Sequence, residues 1–132
     1  MLQEYDGRVR LIYKDFPLPS HGLAIVASEA ARCAGAQGAY WPYHDMLFRR
    51  QPHFERDDLV SYAIELNLAR ERFERCLDDH TFLASVNSDY AEGRELGITG
   101  TPTFLINGKK LVGAQPLEEF RAAIDDALQE RR

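Results

Sequence analysis

The stretch Gly100-Thr101-Pro102-Thr103-Phe104-Leu105-Ile106-Asn107-Gly108-Lys109-Lys110-Leu111-Val112 decides how this chain is read. Residues 103–106 and 109–112 flank Asn107-Gly108. Asn-Gly accepts the positive φ angles of a type I′ turn, whose twist matches that of the flanking strands, so the segment predicts a β-hairpin. Pro102 stands directly before the first strand. Proline has no N–H to give to a ladder, which places it at strand entry rather than inside a central strand. The residues alone leave both isomers of the Thr101–Pro102 bond open, trans being the ordinary state of X–Pro bonds.

Working outward, Pro116 suits the first turn of a helix whose Leu117, Phe120, Ile124 and Leu128 recur at three- and four-residue spacing. Toward the N-terminus, Val9, Leu11 and Tyr13 alternate with mostly polar neighbours over residues 8–13, which reads as a strand. Asp15-Phe16-Pro17-Leu18-Pro19 stops it, since each proline lacks an N–H and restricts the residue before it. Between strand and hairpin lies a helical block. Ser20 is the expected cap of a helix carrying Leu23, Val26, Ala27, Ala30 and Ala31, ended by Gly35 or Gly38. A second helix near residues 40–50 places Trp41, His44, Leu47 and Phe48 on one side. Asp57 or Asp58 opens a third through Leu59, Tyr62, Ala63 and Leu66. Residues 69–79 form a fourth with Phe73, Cys76 and Leu77 inward. Phe82, Val86, Tyr90 and Gly93 mark a fifth, closing at Gly97.

Composition narrows the class. Of 132 residues, 45% are hydrophobic and 28% charged, which excludes disorder and a collagen-like repeat. The length suits one domain. No uncharged stretch approaches the roughly 20 apolar residues that a bilayer span requires, and residues 1–6 show no basic region leading into an apolar run, so neither a membrane-spanning segment nor a signal peptide is expected. Sixteen basic residues are scattered among 21 acidic ones without a basic stripe, which argues against a nucleic-acid partner. Cys33 and Cys76 are the two cysteines. Neither belongs to a Cys-x-x-Cys pair, so they read either as one structural disulfide or as two buried thiols.

The segments VRLIYKDFPLP (9–19), EAARCAG (29–35), WPYHDMLF (41–48) and EGRELGITGTPTFLINGKKLVGAQPLEE (92–119) resemble, in order, the DsbA-like branch of the thioredoxin superfamily. The resemblance implies an α/β thioredoxin-like fold in a single domain over residues 1–132, with residues 1–19 and 98–132 as its core and 20–97 as a large helical insertion. It implies a cis Pro102, with Thr101 and Pro102 contacting the main chain of bound substrate. Many members are bacterial periplasmic proteins.

One departure shapes the functional expectation. Members that exchange disulfides carry a strand ending in Cys-x-x-Cys, and then a helix, ahead of the strand matched by residues 8–13. That unit is absent, so the fold is read as truncated at its N-terminus. Thiol–disulfide exchange needs an attacking thiolate and a second thiol to resolve the mixed disulfide. No catalytic residue is therefore expected here. In the family the missing strand lies between those matched by residues 8–13 and 103–106, so its loss exposes unpaired edges. Direct pairing of the two flanking strands, insertion of a separate fragment, or a homodimer would repair the sheet, and a homodimer is the favoured outcome.

Other candidates are weaker. His21, His44, His53 and His80 lack the spacing of metal ligands, and no metal or cofactor is expected. His44 reads as a packed helix histidine. Asp15 reads as a turn former rather than a buried carboxylate. Tyr40, Trp41 and Tyr43 are taken as core in preference to a peptide-binding patch. Asp57-Asp58 and Glu118-Glu119 fall in first helical turns, where they suit the macrodipole. The leading functional expectation is thus a thiol–disulfide oxidoreductase-type protein that is redox-inactive alone. A non-enzymatic peptide-binding or dimerising module, and a glutathione-dependent relative of the kappa-class type, are the alternatives.

Overall fold

The computed structural model describes residues 2–5, 7–19 and 21–129, with Leu2 and Gln3 by backbone alone. The chain divides into two compact units, Met1–Glu92 and Gly93–Arg132. Ser20, the expected cap, lies outside the described residues.

In the first unit a short 3-10 turn at Leu2–Tyr5 is followed by α1 (Ala24–Gly35), α2 (Tyr40–Arg49), α3 (Arg56–Glu65), α4 (Arg70–Asp78) and most of α5 (Leu83–Glu95). α1 is alanine-rich, and alanine is the best helix former. Ala27, Ala30, Ala31 and Ala34 are buried, and their small side chains let α1 pack against α2, α3 and α4. α3 begins where the Asp58 carboxylate accepts the Glu55 N–H at 3.2 Å, satisfying a donor that the helix cannot. Tyr43, Leu59 and Phe73 fill the centre, and the Tyr43 hydroxyl donates to the Leu59 carbonyl at 2.8 Å. The fully buried phenol of Tyr43 therefore keeps a partner, as buried polar groups require.

α2 follows the core reading at Tyr43 and departs from it at Trp41. Tyr43 and Met46 are its buried residues, while Trp41 and Phe48 stay 44% and 56% exposed. Both stripes run at helical spacing, and packing against α1 and α3 selects the one carrying Tyr43.

In the second unit β1 (Thr103–Ile106) and β2 (Lys109–Val112) form the expected hairpin, with Ile106 opposite Lys109 and Thr103 opposite Val112. Asn107 and Gly108 take φ of 50° and 89°, the type I′ signature. The Gly113 N–H donates to the Pro102 carbonyl at 2.8 Å and continues the pairing one step past the ladder. α6 (Leu117–Gln129) packs on β1, where Phe104 and Phe120 meet edge to face at 4.8 Å.

Residues 8–13, read as a strand, join no ladder: β1 and β2 make the one sheet among the described residues. The alternating pattern is present, but a strand exists only with a partner. Among the described residues no helix is long and apolar enough to cross a membrane.

Candidate functional site

Cys33 on α1 and Cys76 on α4 are joined as a disulfide with their Cα atoms 5.9 Å apart. Cys33 is almost fully buried. Four residues earlier on α1, the buried Glu29 carboxylate meets Nδ1 of His80 at 2.9 Å, four residues beyond Cys76. The matching spacing puts the covalent and polar links one helical turn apart. Because the only two cysteines are bonded to each other, no thiol is free.

A second cluster lies at the end of the unpaired segment. Asp15 is 5% exposed, where a turn former was expected to stand in solvent. Arg32 of α1 explains the burial. Its Nε donates to Asp15 Oδ2 at 2.7 Å and its Nη2 to Asp89 Oδ2 of α5 at 2.6 Å. The Asp15 N–H also donates to Asp89 at 3.0 Å, and Lys14 reaches Glu92 at 3.5 Å. Burial pushes the Asp15 carboxyl above the usual carboxylate range. Hydrogen bonding and charge from Arg32 pull against that shift without cancelling it, and Asp89 adds to it. The more exposed Arg32 guanidinium is held more firmly protonated by the same two carboxylates, although its own burial opposes this.

Tyr13, Arg32, Gly35, Ala36, Tyr40 and Phe82 line an open depression of about 380 Å³ beside this cluster. Burial and then the Asp15 charge hold the Tyr40 phenol well above its ordinary range, so it is a neutral hydrogen-bonding group there. With Nε and Nη2 of Arg32 committed to carboxylates, the depression is poorly equipped to take an anion. Tyr13, Tyr40 and Trp41 surround His44, with Tyr13 and His44 ring centres 4.6 Å apart, so the packed reading of His44 fits while Trp41 lies at the rim.

Thr101 and Pro102 lie in the second unit and are exposed, and their peptide bond is cis. Thr103 Oγ1 donates to the Gly100 carbonyl at 2.7 Å and stiffens the turn leading into β1. No group of three or more His, Cys, Asp or Glu side chains among the described residues is arranged to hold a metal.

A family model described as thioredoxin matches residues 1–126. The chain belongs to the thioredoxin family. This thioredoxin-family chain is 26% identical to a thioredoxin-like oxidoreductase from Silicibacter pomeroyi DSS-3 whose crystal structure superposes with a TM-score of 0.84. The match covers 97% of this chain and 73% of that one, so the DsbA-like fold expected from the sequence holds. Among curated proteins it is 37% identical over 121 residues to the Na(+)/H(+) antiporter NhaA 1 of Salinispora arenicola, covering 90% of this chain and 18% of that protein. It is also 34% identical over 133 residues to the Na(+)/H(+) antiporter NhaA 3 of Salinispora tropica, covering 100% and 20%. The thioredoxin-family chain thus spans about a fifth of the length of these relatives.

The Asp15, Arg32 and Asp89 cluster was missed from the sequence. Arg32 stands in EAARCAG, directly before Cys33, but nothing local ties it to an acid 17 positions away, or that acid to another 74 positions away.

Proposed function

We propose that this chain is a thioredoxin-fold module of DsbA type that binds extended polypeptide through Thr101 and Pro102 and performs no dithiol chemistry on its own. The observation that carries the reading is the Cys33–Cys76 link: the two cysteines that could exchange disulfides are already bonded to each other, one of them deep in the helical core. Exchange by this pair would release a buried Cys33 thiolate, which an apolar environment disfavours. Thr101 and Pro102 are exposed at the entry to the hairpin, and with the Pro102 carbonyl taken by the Gly113 N–H, the Thr101 main chain is the group suited to recognition of a peptide backbone. Insulin reduction and dithiol oxidation assays should show no turnover above free cysteine. Turnover that persists in Cys33→Ser/Cys76→Ser would overturn the redox-inactive reading. Binding of an extended peptide that is unchanged in Thr101→Ala and Pro102→Ala would overturn the recognition reading.

The antiporter relatives favour a second reading, in which a module of this kind works within or beside a Na(+)/H(+) antiporter. Co-purification of this chain with the remaining part of the Salinispora arenicola protein would support it. A complete lack of association would count against it.

A further inference from the structure

The hydrogen-bond alternation of the hairpin leaves one edge of β1 idle. The Gly113 N–H bonds the Pro102 carbonyl, and in an antiparallel ladder hydrogen-bonded pairs recur at every second residue. Phe104 with Leu111 and Ile106 with Lys109 are therefore the pairs bonded across the hairpin, and Thr103 and Leu105 turn their N–H and C=O groups away from β2. Among the described residues nothing bonds those groups. The two outer edges also differ in charge. β2 carries Lys109 and Lys110, both exposed, and lysine on an edge deters pairing, whereas β1 carries neither a charge nor a proline.

Donors and acceptors of two alternate strand residues match one kind of ligand, another extended main chain. α6 excludes a second copy of β1 as that ligand. An antiparallel ladder of β1 with its own copy has a two-fold axis normal to the sheet, which keeps both α6 helices on one face. α6 packs on β1 through Phe104 and Phe120. Strands about 4.8 Å apart would then crowd the two helices well inside the roughly 8–10 Å that helix packing needs. A lone strand without a helix meets no such obstacle. Directly opposed residues share a face, so a side chain across from Leu105 joins the face where Leu105 and Val112 are 42% and 61% exposed, and an apolar one covers that surface.

We propose that the outer edge of β1 takes an added strand from a separate polypeptide, an extended segment with apolar side chains at alternate positions, bonded to the main chain of Thr103 and Leu105. This rests on the reading that the chain recognises extended polypeptide, and carries the recognition from Thr101 along β1.

Amide hydrogen exchange on the full chain, read by NMR, tests the edge residue by residue. The probe is a short peptide of alternating Val and Thr with one Lys at each end. The Phe104 and Ile106 amides should exchange slowly with or without it, while Thr103 and Leu105 should exchange fast alone and slowly with it. N-methylation of its Val residues, which stand across from Thr103 and Leu105, should abolish the protection, and N-methylation of its Thr residues should leave it. Equal behaviour of the two methylated peptides overturns main-chain pairing. Peptide binding that shifts Thr101 without protecting Thr103 and Leu105 overturns the edge and leaves the recognition reading standing; no binding at all overturns both. Protection that persists in Thr101→Ala upholds the edge and removes Thr101 from recognition. Protection in the free chain that grows with its concentration would assign the edge to a second copy and overturn the proposal.

Discussion

In the unit Met1–Glu92, Tyr43, Leu59, Phe73 and Val86 are shut off from solvent, and α1 is tied to α4 by a disulfide and to Asp15 and Asp89 by Arg32. In the unit Gly93–Arg132, Gly93, Ile124 and Ala127 are the buried residues among those described, while Leu105, Val112 and Leu117 stay 40% or more exposed. The helical unit rests on contacts between residues far apart in sequence. The hairpin unit rests on backbone conformations encoded by neighbours. Substitutions in the first should therefore cost several kcal/mol each, and those in the second should act locally and cost less.

The largest effect is expected from the disulfide. Cys33 and Cys76 are 43 positions apart, and closing a loop of that size removes enough unfolded-state entropy to be worth about 4 kcal/mol in the chain-entropy model. Cys33→Ala/Cys76→Ala should lower urea-unfolding stability by about 3–4 kcal/mol, measured at fixed protein concentration. A loss below about 1 kcal/mol would show that the helical core holds α1 and α4 together without the link, and would weaken the contrast between the units.

Arg32→Ala comes next. It leaves the buried Asp15 without its cation, and stranding one member of a buried pair costs roughly 3 kcal/mol. Arg32 is itself 26% exposed on its side chain, so solvent reaches part of the pair and the low end of that range is the expectation. Arg32→Lys should recover part of the loss, since it restores the charge but not the two-armed geometry.

The hairpin responds on a smaller scale. Gly108 sits at φ 89°, and a Cβ built there meets nothing within 4 Å, so Gly108→Ala tests conformation without a clash. It should cost about 1 kcal/mol and loosen the cross-strand amide pattern between Phe104 and Leu111, which hydrogen exchange reads directly. A cost as large as that of Arg32→Ala would mean the turn organises more of its unit than the backbone alone implies.

The same division governs what could be read without coordinates. The hairpin was legible in full because Asn107-Gly108 states its turn within two residues, and the presence and order of the helices followed from their apolar spacing. Their starts did not: α1 begins at Ala24 rather than just after Ser20, and α3 at Arg56, capped by Glu55, rather than at Asp57 or Asp58. α2 was assigned its length and Tyr43 as core, but Trp41 was also taken as core and lies exposed. Trp41, His44 and Phe48 form one stripe and Tyr43 and Met46 another, and only the neighbouring helices choose between them. Asp15 looked like a turn former because an acid before Phe16-Pro17 has that local meaning. Its burial depends on Arg32 and Asp89, which no local pattern could announce. Residues 8–13 show the opposite failure: the alternation of Val9, Leu11 and Tyr13 reads as a strand, yet the segment joins no ladder among the described residues.

The smallest effect, and the sharpest test of the Asp15 cluster, is its pH dependence. Burial raises the folded-state pKa of Asp15 above its unfolded value, with Arg32 opposing and Asp89 reinforcing the rise. A carboxyl shifted upward binds its proton more tightly in the folded chain, so its stabilising contribution is complete below the unfolded pKa and is lost as pH rises through the folded one. Asp15→Asn removes that loss while keeping an oxygen that can accept from Arg32. The stability of Asp15→Asn relative to wild type should therefore climb from about pH 3 toward neutrality, followed by thermal melts across that range. The His44 charge favours the Asp15 carboxylate, so the same comparison repeated in a pair carrying His44→Gln isolates the contribution of burial. If wild type instead gains on Asp15→Asn as pH rises, the Arg32 pairing outweighs burial. The cluster would then be a net stabilising ion pair rather than a buried acid held in place by its neighbours.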